Sequence, residues 1–83
     1  MIMQIHVKLF ARARDLAGTG SLTLNAPDAC TVSMARQLLL AEAPGLSPIM
    51  PSLLMAVDGN YASEHFPLND GCELACFPTV SGG

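Results

Sequence analysis

Three cysteines, two histidines and a closing pair of glycines are the residues with which this chain could do chemistry. As thiolates, Cys30, Cys72 and Cys76 could serve as nucleophiles or metal ligands. Cys72 and Cys76 stand four apart and Cys30 is remote, so there is no CxxC pair and no His–Cys set with zinc-finger spacing. The spacing predicts three reduced, buried thiols and no metal site. His6 falls on the polar side of an alternating stretch, and His65 has only the distant Cys72 as a conceivable nucleophile partner. The carboxylates are scattered, and Asp58 and Asp70 occupy turn positions where their own local hydrogen bonds account for them. Gly18-Thr19-Gly20 lacks both the spacing and the following lysine of a phosphate-binding loop. A self-contained active site is not expected.

The remaining chemistry is at Gly83. Glycine carries no Cβ, so at Gly82-Gly83 another protein's backbone and reactive groups can approach the main chain and its carboxylate closely. Pro78 stiffens the exit from the last strand and limits the ordering entropy lost on insertion. Thr79 follows it, Val80 offers one apolar anchor, and Ser81 is small. Such a segment suits threading into a narrow channel. A carboxylate is a poor electrophile until an acyl-adenylate supplies a leaving group. Sulfur attack then gives a thiocarboxylate and amine attack an amide. Both need a partner enzyme to bind ATP and bring the nucleophile, so the chain would be the carried group. The alternative is a frayed terminus with accidental glycines.

The elements that position this end are legible. Met3, Ile5, Val7 and Leu9 alternate with Gln4, His6 and Lys8, which predicts a strand with one buried face. Arg12 to Leu16 reads as a short polar connection and Gly18-Thr19-Gly20 as a turn. Ser21 to Asn25 alternates again, so the first two strands read as a hairpin joined by a long irregular turn, with Ala26-Pro27-Asp28 breaking the second. Thr31 is a helix N-cap. Val32, Ala35, Leu39 and Ala43 share one helical face, Met34, Gln37 and Ala41 the other, and Pro44 ends the element. Pro48 to Pro51 belongs to an irregular bridge. Leu53 to Val57 is apolar on both faces, as in a central strand. Asp58-Gly59 is the strongest hairpin dipeptide, with a return strand in Asn60 to Glu64. After the Asn69-Asp70-Gly71 turn, Cys72 to Phe77 is the last strand, with Cys72, Leu74 and Cys76 facing one way. One helix covering one face of a mixed sheet of four or five strands is an α+β roll of the β-grasp, ubiquitin-like type. It occupies residues 1–77, with residues 78–83 as a flexible tail.

Composition excludes other classes. Eighty-three residues make one small domain. Hydrophobic residues are 51% and charged residues 13%, which excludes a disordered chain. A net charge of −3 with only four basic residues leaves no phosphate-neutralising stripe for nucleic acid. The longest unbroken apolar run, Leu53 to Val57, is far too short to span a membrane, and Gln4, His6 and Lys8 interrupt any signal-peptide core. A cytoplasmic address follows. A greasy domain of this size keeps apolar surface outside, which points to a protein partner.

Taken together, the motifs resemble the small, sulfur-carrier subunit family of molybdopterin synthase from about Val7 to Gly83. Phe10-Ala11-Arg12-Ala13-Arg14-Asp15-Leu16-Ala17-Gly18 resembles the family's Phe-Ala-x-x-Arg-Glu-x-x-Gly segment, and Thr31-Val32 its helix start. Val57-Asp58-Gly59-Asn60-Tyr61 resembles its hairpin, and Leu68-Asn69-Asp70-Gly71-Cys72-Glu73-Leu74-Ala75 its Leu-x-Asp-Gly-Asp-Glu-Val-Ala run. Phe77-Pro78-Thr79-Val80-Ser81-Gly82-Gly83 resembles its Pro-Pro-Val-Ser/Ala-Gly-Gly ending. Thr79 replaces a usual second proline, Cys72 an acidic turn residue, Met34 a common acidic one and Ala35 a larger apolar one.

The resemblance implies that an E1-like adenylyltransferase activates the Gly83 carboxylate with ATP and that a sulfurtransferase supplies sulfur. The tail, residues Phe77 to Gly82, then enters the large subunit, which carries the catalytic side chains. There the thiocarboxylate donates sulfur to cyclic pyranopterin monophosphate. The family assembly is a heterotetramer, and the carrier itself holds no permanent cofactor. The exposed sheet face including Phe77 is the expected docking patch, and Phe10 belongs either to that patch or to the core. The rival readings are a carrier for thiamine or cysteine synthesis and a ubiquitin-like modifier or interaction domain.

Overall fold

The computed structural model describes residues 2–79. The period-two alternation forms β1, Ile2–Leu9, with Met3, Ile5, Val7 and Leu9 buried and Ile2, Gln4, His6 and Lys8 exposed. A helix, α1, Ala11–Ala17, replaces the expected polar connection. Its residues, Ala-Arg-Ala-Arg-Asp-Leu-Ala, are mostly strong helix formers. Gly18 closes it in the left-handed conformation, φ 79, and donates its N–H to the Arg14 carbonyl. Ala13 is its one buried residue. The backbone of Gly45 lies against the Leu16 carbonyl so closely that a Cβ there would collide with it.

The second strand, β2, Ser21–Pro27, pairs antiparallel with β1 as expected, and it runs through Ala26 and Pro27 rather than breaking there. Proline is tolerated because β2 is an edge strand and Pro27 its last residue. The main helix, α2, Val32–Glu42, is capped by the Thr31 hydroxyl, which accepts from the Met34 N–H. Val32, Ala35, Leu39 and Ala43 are buried, while Met34, Gln37 and Ala41 are exposed, as the helical spacing predicts. The first two N–H groups of α2 are taken by main-chain carbonyls: Val32 donates to Phe66 and Ser33 to Glu64. Arg36 then ties the helix to that segment, donating from Nε and Nη2 to the Glu64 carboxylate at 3.1 and 2.8 Å and from Nη1 to the Met50 carbonyl at 2.7 Å.

The bridge after α2 contains two 3-10 turns, Pro44–Leu46 and Met50–Ser52, which bury Leu46 and Met50. β3, Leu54–Val57, and β4, Asn60–Tyr61, form the expected hairpin, and the return strand is shorter than its sequence suggests. Asp58 (φ 48) and Gly59 (φ 89) both take positive φ, the requirement of a type I′ turn. The last strand, β5, Glu73–Phe77, lies parallel to β1 and antiparallel to β3. The order is β2-β1-β5-β3-β4. β3 is an interior strand between β5 and β4, as its apolar run predicts, with Leu54 exposed on the outer face, and β5 is the middle strand of the five.

The core fills the space between the inner sheet face and α2. It contains Ile5, Val7, Leu24, Val32, Leu39, Leu46, Leu74 and Cys76. This five-stranded mixed sheet under one main helix is the α+β, β-grasp architecture. No helix is long and apolar enough to cross a membrane among the described residues.

Candidate functional site: the outer sheet face and the root of the C-terminal tail

The sheet's outer face is built in rows, because paired strands hold residues of equal parity side by side. Leu9 stands beside Cys76 on β5, and Phe77 faces Leu54 on β3. The next residue after β1, Phe10, therefore lies beside Phe77, and the two rings stack with centroids 4.9 Å apart and planes 7° from parallel. Phe10, Phe77 and Leu54 form one apolar row across three strands. The next row is Lys8, Ala75, Ala56 and Tyr61. Phe10 is 42% exposed, Leu54 43% and Tyr61 75%, so this is an open patch and Phe10 is part of it rather than of the core. The backbone turns sharply behind Phe10: Ala11 takes φ 52, a left-handed conformation that costs a non-glycine residue roughly 1–2 kcal/mol.

The third row is polar. His6 lies beside Glu73, Asp58 Oδ1 accepts the Glu73 N–H at 3.0 Å, and Thr23 Oγ1 stands 3.5 Å from His6 Nδ1. With Lys8 they line an open groove of about 520 Å³. No cysteine, and so no strong nucleophile, lines it.

Burial removes the thiols from chemistry. Cys30, Cys72 and Cys76 are free and buried. Desolvation pushes the Cys76 thiol up to about 12. Cys30 is raised by burial and then by the charge of Cys72, and Cys72 is raised chiefly by burial. All three are protonated near neutrality, and a thiol held so is not a nucleophile. The histidines are exposed and neither joins a cysteine among the described contacts. The described residues also bring together no group of three His, Cys, Asp or Glu side chains that could hold a metal ion.

Of the expected tail residues, Phe77 is half-buried under Phe10, Pro78 is half-buried and Thr79 is exposed. Val80, Ser81, Gly82 and Gly83 lie outside the described residues. β5 ends at Phe77 in the middle of the sheet, so the chain leaves the fold at the apolar row itself. Sequence reasoning missed Leu54 and Tyr61. Their signal was present in the register of the Asp58-Gly59 hairpin, which sets Tyr61 opposite Ala56 and so on Leu54's side of the sheet.

These features define a β-grasp domain whose last strand ends at an open apolar row on the outer sheet face. The ThiS family model matches residues 7–83, and the chain belongs to that family. It is 38% identical to the molybdopterin synthase sulfur carrier subunit of Escherichia coli, over 95% of this chain and 99% of that one. It is 33% identical to the Arabidopsis thaliana protein of the same name, over 98% and 84%. Among solved structures, SAMP1 from Haloferax volcanii superposes with a TM-score of 0.86 at 28% identity, covering 96% of this chain and 99% of that one.

Proposed function

We propose that this chain is the sulfur carrier of a molybdopterin synthase. The observation that carries the reading is the end-to-end match to relatives named for that role, on a fold whose apolar row sits where the last strand exits. In this reading residues 1–77 are the folded domain and residues 78–83 the working arm. The outer face seats first an E1-like adenylyltransferase and then the large subunit. The adenylyltransferase joins the Gly83 carboxylate to AMP and expels pyrophosphate from ATP. A persulfide of the sulfurtransferase displaces AMP to give an acyl disulfide, and a second thiol cleaves it reductively, becoming part of a disulfide and leaving the Gly83 thiocarboxylate. Phe77, Pro78, Thr79, Val80, Ser81 and Gly82 lead that group into the large subunit. There the sulfur attacks cyclic pyranopterin monophosphate, and water hydrolyses the resulting acyl–sulfur bond, leaving sulfur on the pterin and a carboxylate on Gly83. The carrier needs no resident cofactor, and protonated, buried thiols suit a reducing cytoplasm.

A second reading has an observation of its own. SAMP1, whose fold this chain shares, is a small archaeal modifier protein by name. A modifier would pass the same activated carboxylate to a lysine amine. Purified carrier bearing a C-terminal thiocarboxylate, mixed with a synthase large subunit and cyclic pyranopterin monophosphate, separates the two. Molybdopterin formed in proportion to carrier supports the sulfur carrier. Absence of product, together with isopeptide-linked Gly83 in cells, overturns it.

A further inference from the structure

The sheet has two free edges, and they differ. β4 is two residues long, whereas β2 has seven and pairs only with β1 among the described strands. Its residues, Ser-Leu-Thr-Leu-Asn-Ala-Pro, include no charge. Soluble proteins ordinarily blunt so long an edge with lysine, proline or a bulge, because a row of open N–H and C=O groups is a template for another strand. Here only Pro27, at the final position, does so.

The direction of the open groups follows from the ladder. His6 donates its N–H to Cys72 on the β5 side, and Leu9 donates to Gly20 on the β2 side. Main-chain groups alternate along a strand, so Met3, Ile5 and Val7 face β2. Through the register Val7 with Leu22, Ile5 with Leu24 and Met3 with Ala26, those β2 residues face back. The main-chain groups of Thr23 and Asn25 therefore point away from the sheet. At the ends, the Ser21 N–H is turned back to Thr19 Oγ1 at 3.4 Å, and Pro27 has no N–H.

We infer that a second copy of this chain adds to this edge, antiparallel, with Leu24 opposite Leu24 of the second copy. In that register Thr23 of each copy pairs with Asn25 of the other, each pair exchanging both main-chain hydrogen bonds. Ser21 falls opposite Pro27, so the residue whose N–H is already turned back meets the one that has none. Two-fold pairing fixes every residue's mate, and like charges so opposed would repel. The uncharged strand avoids that. On the outer face the Thr23 hydroxyl meets the Asn25 amide. On the inner face Leu24 meets Leu24. The Phe10–Phe77–Leu54 row stays open, because β1 separates β2 from β5. One strand pair is a small contact, so the association is weak and belongs to concentrated solution.

Sedimentation equilibrium of the full chain from about 20 μM to about 2 mM tests this range of weak affinities. Expected is a mass rising from the 8.7 kDa of one chain towards twice that. The Thr23 and Asn25 amides should gain protection from hydrogen exchange with concentration. Asn25→Pro removes an outward N–H that the monomer does not use, so it should hold the mass at one chain with the melting temperature unchanged. Should that variant melt early, Asn25→Lys serves instead and carries the same expectation. A parent chain monomeric throughout, with both amides exchanging freely, overturns the inference. So does a dimer that survives both substitutions, or one lost only in Leu54→Asp, which would place it on the outer face.

Discussion

In the proposed docking, Leu54 divides its side chain between folding and the partner, and that division can be measured. It is 43% exposed, so a little over half of its apolar surface is withdrawn from water in the free chain. Complete burial of a leucine is worth about 1.5–3 kcal/mol. Folding therefore claims about 1 kcal/mol, and a partner that covers the remainder gains about 1 kcal/mol more. Leu54→Ala should lower the melting temperature by roughly 4–8 °C, as expected of 1 kcal/mol in a domain of this size. It should weaken the large subunit's affinity about fivefold. Leu54→Asp loses a similar folding contribution but goes much further on the binding side. In the free chain the carboxylate can still reach water at this half-exposed position, whereas docking would strip it of solvent with no paired cation, at several times the cost of the lost methyls. Calorimetric titration with the large subunit should then show no binding at concentrations where the parent saturates, while circular dichroism shows a folded chain. An affinity for Leu54→Asp within twofold of the parent's would refute the docking face.

Other consequences are more local. Gly45→Ala drives a Cβ into the Leu16 carbonyl, a backbone atom that cannot step aside, so thermal melts should show a loss of about 1–3 kcal/mol. Arg36 holds the Glu64 carboxyl below its ordinary range, chiefly through their hydrogen bonds. A carboxyl lowered on folding contributes stability above its unfolded value of about 4.3 and loses it as pH falls through the lowered one. Glu64→Gln should flatten the stability profile on the acid side of about pH 4.3, by less than about 1 kcal/mol because Glu64 is half exposed. Native-state alkylation at pH 8 should leave Cys76 unmodified, and Cys30→Ser, Cys72→Ser and Cys76→Ser variants that fold should still load sulfur. Loss of loading in any one of them would make that thiol part of the chemistry. Removing Gly83 should abolish sulfur transfer and leave the melting temperature nearly unchanged, since the last strand ends at Phe77.

What the sequence made legible was whatever a local period or a turn residue encodes. The alternation of β1, the buried face and Thr31 cap of α2, and the Asp58-Gly59 hairpin all depend on neighbours within a few residues. The missed helix α1 shows the limit. It has seven residues, no side-chain cap and one buried position, so its apolar period is too short to register. Its alanines and the glycine after it were the only signal. The apolar row is a longer-range object. Phe10 has the parity of Gln4, His6 and Lys8 and so belongs to the outer face. That it meets Phe77 depends on the parallel register of β1 with β5, across 67 positions of chain. The Arg36–Glu64 pair, 28 positions apart, was likewise out of local reach.

In the proposed function, one oxygen of the Gly83 carboxylate is exchanged for sulfur. Intact-mass spectrometry after incubation with ATP, an E1-like adenylyltransferase and a sulfur source reads this exchange. Expected is a mass gain equal to one oxygen exchanged for sulfur, mapped by fragmentation to Gly83 and absent when ATP is withheld. An unchanged mass with a partner set that loads another carrier, or sulfur mapped to Cys30, Cys72 or Cys76, would contradict it.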